Sequence, residues 1–170
     1  MAFFMRTYFV LTILLFVNYS LSAQDSCACC TANHSAFDFW VGQWTVSNPD
    51  GTFAGNNTIS KQEDGCVIRE QWTSATPGYT GTSINYYDQV LAQWVQLWVD
   101  DQGQSLYLRG GIVERSMVLQ SDLLPGADGV SRYNRVTWTP LPEGKVRQHW
   151  EVSTDGLNWS TAFDGLYSPI

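Results

Sequence analysis

Asp-Gly pairs recur along the chain at Asp50-Gly51, Asp64-Gly65, Asp128-Gly129, Asp155-Gly156 and Asp164-Gly165, with further breaks at Pro77-Gly78, Gln102-Gly103, Pro125-Gly126 and Glu143-Gly144. Glycine reaches positive φ without steric cost and aspartate bonds into its own turn, so each pair marks a reversal of the chain. No long stretch after residue 23 carries a 3.6-residue period. The runs between the breaks are short and β-rich instead. They predict strands over Trp40–Ser47, Gly55–Gln62, Cys66–Ser74, Thr80–Asp88, Gln93–Asp100, Ser105–Val113, Ser116–Ser121, Tyr133–Thr139, Lys145–Ser153 and Thr161–Tyr167. About ten strands with short connections pair in sequence order as an antiparallel meander. Closing it removes both exposed edges, which favours an up-and-down barrel over an open sheet. The expected fold is all-β, a single barrel domain over residues 37–170 with a short N-terminal leader. Phe37–Trp40 is expected to form a turn of helix that plugs one end.

The first residues read as an export signal. Arg6 is followed by the apolar run Tyr8–Val17, and Leu21-Ser22-Ala23 offers small residues for cleavage near Ala23. Residues 1–23 are thus expected to be a signal peptide, leaving a secreted or periplasmic protein with no membrane span in its mature form. Residues 24–36 form a leader that carries Cys27, Cys29 and Cys30. In an exported chain the even count of four with Cys66 points to disulfides. Adjacent Cys29 and Cys30 pair poorly with each other, so Cys66 is expected to bond one of the three. The alternative is a thiolate metal site of Cys27, Cys29, Cys30 and His34, but Cys-x-Cys-Cys fits no common zinc spacing. The expectation is therefore no metal.

Side chains alternate faces along a strand. On the third predicted strand Ile68, Glu70 and Trp72 share one face and Arg69, Gln71 and Thr73 the other. On the ninth, Val146, Gln148 and Trp150 oppose Arg147, His149 and Glu151. On the eighth, Val136 and Trp138 oppose Arg135 and Thr137. The fifth is apolar on both faces. By analogy Trp94, Gln96 and Trp98 are placed inside, which leaves Val95, Leu97 and Val99 outside, to be covered by the leader or by a second copy in a homodimer. A polar residue thus precedes an inward Trp by one same-face step in Glu70-x-Trp72, Gln96-x-Trp98 and Gln148-x-Trp150. Indoles with a few placed polar groups are the composition of a small-molecule pocket, although large indoles also simply fill a narrow barrel. Glu70 stands out, because a buried carboxylate must find a cation or take up a proton. Arg109 is the candidate partner. His149 falls on the outer face.

The triplet Gly42-Gln43-Trp44 resembles the Gly-x-Trp on the first strand of lipocalins and their calycin relatives. In that superfamily the Trp packs across the closed end of the barrel. The resemblance therefore implies that Gly42 and Trp44 form the barrel floor, with ligands entering at the opposite end. More specifically, the chain resembles a group of bacterial exported proteins without a settled activity. That likeness rests on Cys27-x-Cys29-Cys30, Phe37-Asp38-Phe39-Trp40-Val41-Gly42-x-Trp44, Gly65-Cys66-Val67-Ile68-x-Glu70-x-Trp72, Trp94-x-Gln96-x-Trp98-Val99-Asp100, Trp138-Thr139-Pro140-Leu141, Val146-Arg147-Gln148-x-Trp150-Glu151 and Phe163-Asp164-Gly165-x-Tyr167. It implies a calycin-like barrel and carries over no catalytic residue. The strand count exceeds the eight of classical lipocalins. Ser153–Trp159 also resembles the Asp-box hairpin of sialidase-like propellers, a structural turn.

Eight Trp in 170 residues and a net charge of −7 argue against disorder and against a nucleic-acid partner. No nucleophile, metalloprotease or phosphate-loop motif occurs, and no cofactor is expected. The sequence predicts a barrel that binds a small, partly apolar ligand through Glu70, Trp72, Trp94, Gln96, Trp98, Trp138, Gln148, Trp150 and Arg109. Two other readings stay open. One is an isomerase or hydrolase in the same barrel with Glu70 as acid or base. The other is a carbohydrate-binding or protein-interaction module with outward indoles.

Overall fold

A computed structural model describes residues 27–170; the expected signal peptide lies outside the described residues. The ten strands are β1 (Gly42–Ser47), β2 (Phe53–Gln62), β3 (Val67–Ser74), β4 (Thr80–Asp88), β5 (Gln93–Asp100), β6 (Ser105–Val113), β7 (Ser116–Gln120), β8 (Tyr133–Pro140), β9 (Val146–Ser153) and β10 (Ser160–Pro169). Each pairs antiparallel with its neighbours in sequence, and β1 pairs with β10 to close the barrel. The closing ladder sets Trp44 opposite Pro169 and Val46 opposite Tyr167. Among the described strands no sheet edge is left unpaired.

The turns follow the chemistry of their residues. Gly51, Gly65, Gly129 and Gly156 all adopt positive φ. Asp88 shows the second device: its Oδ1 accepts the N–H groups of Val90 and Leu91 and closes the β4–β5 reversal without a glycine. In the β9–β10 turn Asp155 Oδ1 accepts from Leu157 and Asn158.

The lower end is filled by aromatic rings. A short 3₁₀ turn, Asp38–Trp40, enters the barrel as a plug. Phe37 stacks on Trp40 at 4.9 Å and meets Trp138 and Trp94 edge-on at 5.1 and 5.6 Å. Ile59, Ile68, Leu108, Met117 and Val146 complete this core. The leader lies across the same end. Trp94 Nε1 donates to the Asn33 carbonyl, and Asn33 Nδ2 donates to the Tyr87 hydroxyl. Two disulfides hold the leader, Cys29–Cys66 and Cys27–Cys30. The first ties it to the start of β3, so the expected pairing of Cys66 resolves to Cys29. All four cysteines are consumed, which leaves no thiolate for the alternative metal site. His34 is buried, its ring bonded to Thr31 and Gln89.

The outer face of β5 is only partly covered. Val95 is buried, but Leu97 and Val99 are 43% and 41% exposed beside Ile84 and Tyr107. The described part of the leader, residues 27–36, caps the end of the barrel instead. Among the described residues no helix is long and apolar enough to cross a membrane.

The plug carries much of the lower core, so its removal should be costly. Phe37→Ala is expected to lower unfolding free energy by about 3–5 kcal/mol, read from urea denaturation monitored by circular dichroism.

Candidate functional site

Above the plug the barrel interior is hollow. A cavity of about 400 Å³ opens at the end opposite the leader. Trp72, Trp98, Trp150, Phe163 and Phe53 supply its aromatic walls, with Leu106 and Val136 between them; Tyr79 is at the rim, and Glu70, Gln96, Gln148 and Tyr167 form its polar floor. Strand alternation explains the set. Glu70 and Trp72 are successive inward positions of β3, Gln96 and Trp98 of β5, and Gln148 and Trp150 of β9. The wall is closely fitted: a Cβ placed on Gly81 would lie 2.1 Å from the Trp98 indole, so only glycine lets that ring lie flat against β4.

The floor is one hydrogen-bond network centred on Glu70, which accepts from Ser83 on one side and Asn57 on the other. The carbonyl of Ile68 can only accept, so the Asn85 side chain faces it with Nδ2, at 3.0 Å. Asn85 Oδ1 then receives Gln96 Nε2 at 2.8 Å. Asn85 Nδ2 also donates to Ser83 Oγ at 2.9 Å, and Ser83 passes its own proton to Glu70 Oε2 at 2.6 Å. On the other side Asn57 Nδ2 donates to Glu70 Oε1 at 2.7 Å and to the Tyr167 hydroxyl at 3.2 Å. Tyr167 in turn donates to Gln148 Oε1. Asn57 thus spends both N–H bonds on the carboxylate side and leaves its buried Oδ1 without a partner, a cost of about 1–3 kcal/mol. That orientation suits an ionised Glu70.

Glu70 nevertheless has no cation. It is 4% exposed, and among the described residues no Lys, Arg or His lines the cavity. Burial pushes its carboxyl up to about 7, against the opposing hydrogen bonds from Ser83 and Asn57. Burial also raises the Tyr167 phenol well above its usual range, with the Glu70 charge as the next cause.

The structure separates the residues singled out in the sequence. Glu70, Trp72, Gln96, Trp98, Gln148 and Trp150 meet around the cavity. Trp94 and Trp138 do not. Both face inward, but they sit lower and pack on Phe37 in the plugged core. Arg109 is the main correction. It faces outward, pairs with Asp122 at 2.6 Å and lies over the Tyr107 ring, because its register partner Val95 is itself an outward residue of β5. Trp44 lies in the core below, its Nε1 donating to the Trp40 carbonyl at 2.9 Å, and Gly42 lies beside its indole. His149 is outward, bonded to Thr161. Asn57, Ser83, Asn85 and Tyr167 were not anticipated. Their only sequence signal is parity with Ile59, Gly81 and Gly165, neighbours that do not advertise an interior.

No protein-family model matches the chain, and a search of curated proteins finds no match either. What the structure retains of the calycin resemblance is the closed antiparallel barrel. Nothing found supports membership of the group of exported proteins named by motif.

A carboxyl held near 7 in the folded protein and 4.5 in the open chain makes stability depend on pH. Between those values the folded state holds the extra proton, so the contribution of Glu70 to stability is greatest below about 4.5 and declines as pH rises toward about 7. The difference corresponds to about 3 kcal/mol. Urea midpoints at pH 5 and pH 8 should show this fall for the parent, and Glu70→Gln should abolish most of it.

Proposed function

We propose that this protein binds a small, partly apolar molecule inside the barrel. The observation that carries the reading is the hollow upper half, whose aromatic walls end on an organised polar floor. Its volume of about 400 Å³ lies within the 300–1,000 Å³ range of small-molecule sites. The walls supply apolar contact area, while Glu70, Gln96 and Gln148 orient a polar group. The two disulfides are compatible with a secreted or periplasmic setting, where such bonds persist.

Catalysis in the same cavity is the second reading. It is favoured by a carboxyl poised near 7 beside space for a substrate, a combination that suits a general acid or base. Glu70→Gln would abolish any turnover that uses this group. An interaction module displaying indoles receives less support, since Trp159, packed under Arg135, is the one indole on the outer surface.

Binding is read by intrinsic fluorescence, because Trp72, Trp98 and Trp150 line the cavity. Titration with a panel of aromatic and lipophilic compounds should quench or shift emission for at least one class. Trp98→Ala and Gly81→Val, which pushes the Trp98 ring into the cavity, should each weaken that ligand about tenfold or more, whereas Arg109→Ala should leave it unchanged. No response to any compound would remove the binding reading.

A further inference from the structure

At the floor Glu70 and Gln96 offer acceptors, Gln148 turns its oxygen to Tyr167, and among the described residues no cationic side chain lines the cavity. Resting on the binding reading above, we infer that the ligand is an organic cation, a protonated amine whose ammonium group sits on Glu70 and Gln96 with its apolar part between the indoles.

Three observations lead there. The first is charge. Among the described residues, Glu70 is the sole carboxylate lining the cavity, and Lys, Arg and His are absent from it. The cations that do make ion pairs, such as Arg135 with Glu151 and Arg147 with Asp164, do so through outward side chains. An anionic ligand would meet a carboxylate with no counter-charge, whereas a cationic one would supply the partner that the fold withholds.

The second is the direction of the hydrogen bonds. The Ile68 carbonyl fixes Asn85, and Asn85 fixes Gln96 with its nitrogen turned away. Gln96 Oε1 is therefore left free at the cavity floor. Each oxygen of Glu70 receives one protein donor, Asn57 or Ser83, and keeps a second lone pair. The two side chains lie side by side around a shared partner, Ser83 Oγ, 2.6 Å from Glu70 Oε2 and 3.5 Å from Gln96 Nε2. Together they present acceptors to a group with several N–H bonds, which an ammonium has and an ether or ester lacks.

The third is the wall. Trp72, Trp98 and Trp150 stand one inward step from Glu70, Gln96 and Gln148 on three different strands. Indole faces attract a cation placed within about 6 Å, and more strongly where water is excluded. A carboxylate at the base of a ring of indoles thus serves both the charge and the apolar remainder of an amine.

The titratable groups facing Glu70 are phenols, Tyr167 from β10 and Tyr79 before β4, and both are pushed up by burial. Asp100, farther along β5 toward the mouth, is engaged by the Gln102 and Gln104 N–H groups and by the Tyr79 hydroxyl. The acid limb of an amine-binding profile therefore belongs to Glu70. Below about 7 the cation must displace a proton, and affinity should fall about tenfold per pH unit.

The test uses matched probes on two skeletons: 2-phenylethylammonium, 2-phenylethanol and phenylacetate, and octylammonium, octanol and octanoate. Tryptophan fluorescence at pH 8 should show the ammonium member binding at least about tenfold more tightly than its alcohol, with the carboxylate weakest. Glu70→Gln should remove the preference for ammonium while the alcohol still binds. The parent's affinity for the ammonium should drop between pH 8 and pH 5.5, an independent readout should the variant fold poorly. If the alcohols bind as tightly as the ammonium probes, or the carboxylates are preferred, the cation assignment is wrong and the binding pocket stands. If none of the six binds while other neutral compounds do, the cation assignment again fails alone. If nothing binds at all, both readings fall.

Discussion

The ladder between β1 and β10 is the interaction on which everything else depends. It joins strands at opposite ends of the described chain, Val46 to Tyr167 and Trp44 to Pro169, and so closes the longest loop of the barrel, the pairing with the greatest closure entropy unless the intervening strands already hold the ends together. Only with that seam shut do the inward faces of all ten strands surround a common axis. Tyr167, which bridges Asn57 of β2 and Gln148 of β9, reaches both only because β10 sits between β1 and β9. The polar floor is thus a product of closure, not of any single hairpin.

Below that floor the barrel is solid and above it the barrel is open. The difference comes from side-chain volume. Phe37, Trp40, Trp94 and Trp138 fill the lower layers ring against ring, while the upper layers have small residues, Ala54, Ser74 and Ala162, interleaved with the indoles. The Glu70 layer forms the boundary. Its amides and hydroxyls bond to one another and to Glu70, with Asn57 Oδ1 left unpaired, and the carboxylate is held without a counter-ion. Holding it so disfavours its charged form, which is why burial outweighs two short hydrogen bonds there.

Much of the fold was legible because local rules and the global structure agree. Thr80–Asp88, Gln93–Asp100 and Ser105–Val113 are predicted and observed with the same bounds, since turn residues punctuate a strong two-residue period. Parity placed Glu70, Gln96 and Gln148 inside for the same reason. It gave no direction for Arg109, because Leu106 and Leu108 oppose Tyr107 and Arg109 with neither face plainly interior, so only cross-strand register against β5 decides it. It also misjudged Trp94 and Trp138. Parity tells inside from outside but not height along the axis, and height depends on strand stagger, which no single strand encodes. Ser83 and Asn85 were hidden by an inverted pattern: β4 turns its polar residues inward and its Ile84 outward, because the interior at that level is a hydrogen-bond network.

The plug makes the cavity a blind one, and a blind cavity imposes an order on exchange. An occupant can leave only by the mouth through which its replacement must come, so release has to precede capture. A competitor, however concentrated, cannot push from behind. The residence time of whatever the barrel holds is then a property of the mouth and the walls alone, independent of what waits outside. For the ligand proposed above, a single mouth would make the barrel a store that empties at its own rate, past walls that include Trp98, fitted against Gly81.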